Sequence, residues 1–182
     1  MIKQTNKILL FIFLIIFTGC DLKQNSIEIN HYSIDFKSKE IIKKTKLESI
    51  FIEEPNVNRS FNLTSIFYNT KPYLFEEYAK NRWINVPSNM IYNQLLDSFN
   101  SSKLFTNVIS KDSKLEHKYN LKTDYAILKI KFDLIEDKKV IKSYSYDKKV
   151  LCKTNDAYGF VEALNKSFEE VVNDLLNNFS FI

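Results

Sequence analysis

The residue types that usually carry out catalysis are few in this chain and poorly spaced for it. His31 and His117 have no histidine or cysteine nearby at a metal-ligand spacing, so the sequence predicts no metal site. The acidic pairs Glu53-Glu54 and Glu76-Glu77 lie in strand-like sequence, where neighbouring side chains point to opposite faces and do not converge on one substrate atom. Gly159 is the one glycine after residue 19, which excludes a glycine-rich phosphate loop. The sequence therefore favours a protein that is not an enzyme and has no cofactor.

A cysteine thiol at the end of an apolar segment is the clearest chemical feature. Lys3 and Lys7 precede an uncharged apolar run over residues 8–17, and Thr18-Gly19-Cys20 follows that run. This is the layout of a signal peptide, and the run is too short to cross roughly 30 Å of hydrocarbon as a helix. Small residues directly before a cysteine resemble the lipobox of bacterial lipoproteins, in which the cysteine sulfur receives diacylglycerol. We therefore predict removal of residues 1–19 and a covalent lipid, with acyl chains such as palmitate, on Cys20. An ordinary secretory signal followed by a chance cysteine is the alternative.

The remaining chain, residues 20–182, has the length of one ordinary domain. The formal net charge falls from +4 to +2 when Lys3 and Lys7 are removed, and the basic residues are scattered among acidic ones. The charge therefore does not favour nucleic-acid binding. If Cys20 is acylated, Cys152 is a single thiol without a disulfide partner. We expect Cys152 to be a small buried residue in a strand, with a reactive thiol as the alternative.

Short β-type segments occupy the first part of the domain, after a lipidated tether over residues 20–30. Tyr32, Ile34 and Phe36 alternate along the first of these segments. A charged connection over residues 37–46 follows, and we expect a solvated loop there, with attraction to anionic lipid head groups as the alternative. Prolines and asparagines separate the later segments, which we expect to pair as sequential antiparallel strands. The predicted strands are 31–36, 50–52, 62–68 and 73–78.

Two segments have the apolar periodicity of amphipathic helices. Pro87 suits the first turn of a helix over 87–101, because its missing N–H would be unpaired there anyway. A second helix is predicted from about residue 155 to 178, with Asn155 or Thr154 as its cap and Asp156 near its positive end. The apolar positions are Ile91, Leu95 and Phe99 in the first helix, and Val161, Leu164, Phe168, Val171, Val172, Leu175 and Phe179 in the second.

Between the helices, residues 124–135 alternate apolar and charged side chains, which predicts a strand with one buried face. A turn at Asp137-Lys138 then leads into a return strand over residues 140–152, which makes a long hairpin. A short strand is expected near residues 106–110. Together these elements predict a single α+β domain over residues 31–182, with a mainly antiparallel sheet and two amphipathic helices packed on it.

The stretch from Leu47 to Phe105 carries a family likeness. An aromatic-rich segment, residues 73–78, is followed by Arg82-Trp83-Ile84 and by a proline-led helix that contains Met90. This arrangement resembles the ABC-type transport auxiliary lipoproteins (PqiC-like), which work with MCE-domain proteins in lipid transport. The spacing Tyr-x-x-x-Arg-Trp before the helix is its most specific part. The long hairpin and the closing helix also fit, so the likeness covers most of the domain.

The resemblance implies a non-enzymatic docking component of an envelope lipid transporter, with an MCE-domain protein as its partner. Tyr, Trp and Arg dominate interface hot spots, which makes the aromatic-rich segment the candidate contact region. Strand alternation would place some of these side chains in the core instead. The predicted partner-contact residues are Tyr73, Phe75, Tyr78, Arg82 and Trp83. A structural or assembly lipoprotein of the outer membrane, unrelated to transport, is the alternative function, and a homo-oligomer is left open.

Two inferences about the membrane that holds the anchor conflict. Asp21, directly after the predicted lipidated cysteine, is associated with retention in the inner membrane of enteric bacteria. The family resemblance implies the outer membrane instead. Because sorting rules differ between bacterial groups, we expect a periplasm-facing protein of the cell envelope that is anchored in the outer membrane.

Overall fold

The computed structural model describes residues 27–42, 45–126, 129–148 and 151–181. The predicted signal peptide, Cys20 and most of the predicted tether lie outside these ranges. The strands are β1 Asn30–Tyr32, β2 Ile50–Ile52, β3 Asn56–Val57, β4 Ser65–Lys71, β5 Leu74–Trp83, β6 Val108–Ile109, β7 Tyr119–Ala126, β8 Lys129–Glu136 and β9 Lys139–Asp147, and the helices are α1 Pro87–Ser102 and α2 Ala157–Phe179.

The strands form two sheets, and both are mixed. In the small sheet, of order β1-β5-β4, strand β5 pairs antiparallel with β4 and parallel with β1. In the large sheet, of order β6-β2-β7-β8-β9, strand β2 is parallel to both β6 and β7, whereas β7, β8 and β9 are antiparallel neighbours. The predicted α+β class is confirmed. The expectation of sequential antiparallel strands is confirmed for β4 and β5 but is wrong for β2, which pairs with strands that follow α1 in the chain, and such parallel pairs need a long crossover.

The alternating segment 124–135 is not one strand. Strand β7 ends at Ala126 and β8 begins at Lys129, and these two residues face each other across an antiparallel pair. The predicted alternation survives in β8, where Ile130, Phe132 and Leu134 are buried. The sequence around residues 125–130 contains no glycine, proline or asparagine, so nothing in it marked the reversal of the chain.

The second turn of this meander is where the sequence placed it. Asp137 and Lys138 have φ angles of 48° and 62°, the left-handed conformation that two-residue hairpin turns of type I′ require. Strand β9 ends at Asp147, so the predicted strand up to residue 152 is too long. Cys152 is exposed in the connection to α2, and the prediction of a buried strand position for it is wrong.

Both helices bury the stripes that their sequences predict. In α1, Ile91, Leu95 and Phe99 are fully buried, and Pro87 is the first helical residue. The apolar stripe of α2 lies against the large sheet, and Phe179 at its end contacts the rings of Phe99 and Tyr144 at centroid distances of 5.9 and 5.6 Å. The two helices and the large sheet therefore share one core.

The N-terminal end of α2 differs from the prediction in its capping residue. Asp156, and neither Asn155 nor Thr154, is the cap, and its side chain accepts a hydrogen bond from the Gly159 N–H at 2.7 Å. Thr154 donates to the Asp156 carboxylate at 2.8 Å and so positions it. A Cβ atom at Gly159 would lie 2.5 Å from the carbonyl oxygen of Thr154, so glycine is required for this close approach.

Residues 33–41, here called the interhelix segment, connect β1 to the rest of the chain by running along both helices. The buried Gln94 side chain of α1 accepts a hydrogen bond from Phe36 N at 3.3 Å and donates one to Phe36 O at 2.9 Å. Further along, Ser38 donates to Ser98 at 2.6 Å. These are the bonds that a neighbouring strand would otherwise supply, so Gln94 acts as a side-chain substitute for a backbone partner.

The same segment is held on its other side by asparagines of α2. Asn165 accepts from Asp35 N at 2.8 Å, and Asn173 accepts from Lys39 N at 3.1 Å. The first predicted strand therefore stops at Tyr32, although Ile34 is buried and Phe36 half-buried as its alternation predicted. The prediction of a loop from residue 37 agrees with the structure, where Lys37, Lys39 and Glu40 are exposed, although Asn173 binds the backbone of Lys39.

We expect Gln94→Ala to lower the free energy of unfolding by about 2 kcal/mol, because it leaves the polar backbone groups of Phe36 without partners. Asn93→Ala, the same type of truncation at the exposed neighbouring position, should change it by less than about 0.5 kcal/mol. Urea denaturation of the two variants measures the difference. Equal effects would show that the interhelix segment does not depend on Gln94.

Two tyrosines of β9 offer a matched pair. The Tyr144 hydroxyl is buried and has no hydrogen-bond partner in the described part of the chain, whereas Tyr146 donates to Asp174 at 2.8 Å. Tyr144→Phe should therefore raise the free energy of unfolding by about 1 kcal/mol, and Tyr146→Phe should lower it by about 1 kcal/mol. Chemical denaturation measures both, and a destabilised Tyr144→Phe variant would contradict this account.

Candidate binding surface on the small sheet

The five predicted contact residues all lie on β5 or in the turn before it, but the structure does not bring them to one exposed patch. Tyr73 and Phe75 are exposed, at 98% and 53% of their surface. Tyr78 and Arg82 are half-buried. Trp83 is 6% exposed and its ring lies 6.5 Å from that of Phe160 in α2. Trp83 is therefore a core residue, as alternation allowed, while the exposed aromatic side chains lie at the opposite end of the strand.

The tip of the β4–β5 hairpin carries an unusual backbone conformation. Lys71 pairs with Leu74, so Pro72 and Tyr73 form a two-residue turn, and the φ angle of Tyr73 is 68°. Glycine or asparagine is favoured at a turn position with positive φ, and a bulky residue there costs free energy. A tyrosine held almost fully exposed in this conformation is poorly explained by folding, and it is consistent with a contact role.

Arg82 supports the shape of β5 from within. Ser65 pairs with Arg82 and Phe67 pairs with Glu77, so β5 has three more residues than β4 between these two pairs and bulges. One nitrogen of the Arg82 guanidinium donates to the carbonyl oxygens of Tyr78 and Asn81 in the bulge. The other lies 3.1 Å from the Glu77 carboxylate. The guanidinium therefore satisfies backbone groups that the bulge leaves unpaired.

Tyr78 lies against the ring of Tyr68, with centroids 4.5 Å apart. Burial raises the pKa of the Tyr78 hydroxyl, and the neighbouring groups Cys152 and Tyr68 add to the rise. The hydroxyl is therefore uncharged at neutral pH, so the middle of the strand presents an aromatic surface that can donate a hydrogen bond and carries no charge.

Behind the hairpin lies an apolar pocket of about 190 Å³, here called the aromatic pocket. It opens between the small sheet, the β3–β4 connection and the start of α2. Phe61 contacts both Phe67 and Phe75, at centroid distances of 5.9 and 5.2 Å. None of the described residues that line the pocket is charged. Its principal apolar walls are Phe61, Phe67, Phe75, Trp83, Phe160 and Leu164.

The sequence did not reveal this pocket, because its walls come from separate parts of the chain. Phe61 and Phe67 stand out in the sequence only as apolar members of a strand-like segment, and Phe160 and Leu164 only as helix positions. Phe75 and Trp83 were singled out as contact residues, and the structure places both on the pocket wall. The clustering of aromatic residues between positions 61 and 83 was the one signal that pointed to this region.

A second, more open depression adjoins the aromatic pocket and shares Val57 and Asn58 with it. Arg59, Lys129 and Lys131 line this depression, here called the basic cleft. Within it, the Lys129 ammonium lies 3.3 Å from the Asp147 carboxylate. The basic cleft therefore places cationic side chains next to an apolar pocket.

Lys131 also holds the buried carboxylate of Asp133 on the outer face of the large sheet, at 2.7 Å. Burial by itself would raise the pKa of Asp133, but hydrogen bonds from Lys131 and Ser143 together outweigh burial and lower it. Asp133 is therefore ionised at neutral pH. The pair is a structural ion pair at the edge of the basic cleft.

The residues first considered for chemistry have ordinary contacts. His117 stacks on Phe51 at 4.9 Å. Glu54 pairs with Lys111 at 3.1 Å, and Glu76 accepts a hydrogen bond from Thr70 at 2.8 Å. Within the described ranges, no cluster of three or more potential metal ligands occurs, and no helix is long and apolar enough to cross a membrane.

Solved structures share this fold. Protein XCC0632 from Xanthomonas campestris, described with the family model DUF330, has a TM-score of 0.71 at 13% sequence identity, over 81% of this chain and 92% of that chain. A crystal structure of an uncharacterized protein has a TM-score of 0.61 at 10% identity, over 83% of this chain and 98% of that chain. The sequence matches no family model and no curated protein. At these identities the likeness shows the fold alone, and that fold is the one seen in a DUF330 protein.

Proposed function

We propose that the protein is a non-enzymatic, lipid-anchored component of an ABC-type lipid transport system of the cell envelope, in which it docks to an MCE-domain protein. The observation that supports this proposal is the fold, which matches that of a DUF330 protein over 81% of this chain and 92% of that protein. The sequence likeness to ABC-type transport auxiliary lipoproteins, from Leu47 to Phe105, covers strands β2 to β5 and helix α1 of that fold. The proposed place of action is the periplasmic side of the outer membrane.

The exposed hairpin tip supports a docking role for this region. Tyr73, Leu74 and Phe75 leave apolar surface open to water at the end of a strand pair, and aromatic side chains of this kind are common interface anchors. Arg82 and Tyr78 lie behind them and hold the strand in shape. The proposed contact surface is therefore the tip, and Arg82 and Trp83 act as its support from the bulge and the core.

A lipid anchor would hold this tip near the membrane. Lipid is insoluble in water, so a transport route across the periplasm needs proteins that stay at a membrane surface and bind the next component. The described domain begins at Ile27, which is seven residues after Cys20 in the sequence. Acyl chains on Cys20 would supply the membrane attachment, since stable anchoring by lipid needs more than one chain.

A structural or assembly lipoprotein of the outer membrane, without a transporter, is the alternative class. It would use the same anchor and the same exposed tip, and it differs only in the partner. The genes that neighbour this one discriminate between the two, because a transport role requires an MCE-domain protein, a permease and an ATPase.

Crosslinking in the native envelope, followed by affinity purification of the tagged lipoprotein and mass spectrometry, tests the transport proposal. We expect recovery of an MCE-domain protein, and a strong loss of that recovery for the Tyr73→Ala/Phe75→Ala variant. Phe181→Ala, which truncates an exposed phenylalanine in the tail after α2, is the matched control and should recover the partner normally. Recovery of barrel proteins alone would overturn the transport proposal and support an assembly role.

Replacement of the predicted acylation site tests the anchor separately. The wild-type protein should partition into the detergent phase and gain the mass of a diacylglycerol and an acyl chain at Cys20, whereas Cys20→Ser should remain unmodified. Cys152→Ser is the control, because its thiol lies outside the predicted lipobox and should not affect the modification. An unmodified wild-type protein would show that Cys20 follows an ordinary signal.

A further inference from the structure

We propose that the aromatic pocket binds one acyl chain of a membrane phospholipid. The inference deepens the proposed transport function and rests on it for the source of the lipid. It assigns direct lipid contact to a protein whose transport role requires only docking.

The chemistry of the walls selects an apolar ligand. Aromatic and aliphatic side chains form most of the surface, and none of the described lining residues carries a charge. An engineered apolar cavity of about 150 Å³ stays dry and takes up small apolar molecules. At about 190 Å³, the aromatic pocket has room for a segment of a hydrocarbon chain.

The mouth of the pocket suits the polar head group of a phospholipid. Polar lining residues, Asn58, Ser65 and Asn69, accompany the apolar walls. The basic cleft adjoins the pocket at Val57 and Asn58, with Arg59 among its lining residues. A phosphate group held near Arg59 would leave the attached acyl chain next to the aromatic walls, so apolar and cationic surfaces occur in the order that a phospholipid requires.

The hairpin provides a route between a membrane surface and the pocket. Phe75 belongs to the pocket wall and is also half-exposed at the hairpin tip. Tyr73 and Leu74, the two residues before Phe75, are also exposed at the tip. An acyl chain that leaves a bilayer at the tip would therefore reach the pocket wall at Phe75.

Trp83 gives this proposal a site-specific optical reporter, because it is the only tryptophan of the chain and lies on the pocket wall. The full lipoprotein is reconstituted into vesicles of dibrominated phosphatidylcholine and, for comparison, of ordinary phosphatidylcholine. Bromine atoms quench tryptophan fluorescence only at short range. We expect most of the Trp83 fluorescence to be lost in the brominated vesicles.

Insertion of the hairpin tip into the bilayer does not explain such quenching. Lys71 pairs with Leu74 at the tip and Ser65 pairs with Arg82, so six residue steps of β4, about 20 Å, separate the tip from the region of Trp83. Insertion of the tip alone therefore leaves Trp83 out of reach of bromine, and quenching that is lost when the pocket is filled reports an acyl chain in the pocket. Unquenched wild-type protein in brominated vesicles would overturn the proposal. This outcome includes the case in which the pocket holds acyl chains of the protein's own anchor, because those chains carry no bromine.

Ser65→Phe fills the pocket and should restore the Trp83 fluorescence. Ser101→Phe is the matched control, since it places the same ring on an exposed position of α1, about 21 Å along the helix from the pocket residue Pro87, and should leave quenching unchanged. Circular dichroism shows whether each variant is folded. A folded Ser65→Phe protein that is quenched like the wild type would contradict the proposal.

The outcome is independent of the transport test. Loss of quenching with an intact MCE interaction would remove the lipid site and leave the docking role. Quenching without any MCE partner would establish the lipid site and remove the transport assignment.

Discussion

The burial of the α2 stripe against the large sheet is the interaction on which the rest of the structure depends. The stripe packs against two neighbours, the β8–β9 hairpin on one side and α1 on the other. Phe179 is the clearest example, because its ring contacts Phe99 in α1, Phe105 after α1, and Tyr144 in β9. Fully buried aromatic side chains contribute a large share of the apolar area removed from water. The last helix of the chain therefore joins elements that are far apart in sequence.

The fold also needs a segment that connects the small sheet to the large sheet without forming a strand of the large sheet. The interhelix segment meets this need through amide side chains of α1 and α2 that bind its backbone. This segment directly follows β1, which pairs with β5, and it carries Ile34 into the core. The small sheet is thereby placed beside the start of α2, and the aromatic pocket is the space left between them.

The functional proposals depend on a difference between the two ends of β5. At the tip, Tyr73 and Phe75 are exposed and free to meet a partner, while Trp83 at the other end closes the pocket wall. The bulge with Arg82 lets a single strand serve both purposes, because it changes the register between the outer and inner parts. Docking and lipid contact are therefore assigned to neighbouring surfaces of one hairpin.

The sequence by itself determined the elements whose signal is local. The apolar stripes of both helices, Pro87 at the start of α1 and the turn at Asp137-Lys138 follow from spacing and turn chemistry, and the structure agrees with each. The fold class followed from the same elements. The signal-peptide layout and the lipid on Cys20 are also local predictions, which stay predictions because that part of the chain is outside the described ranges.

Only the tertiary structure decided what depends on distant partners. The parallel pairs of β2 join residues on either side of α1, and no local pattern specifies them. The reversal between β7 and β8 and the exposure of Cys152 likewise depend on where the chain meets the sheet. Alternation indicated that some aromatic residues of β5 would be buried, but not which ones. Trp83 is buried and Tyr73 is exposed, because α2 covers only one end of that strand.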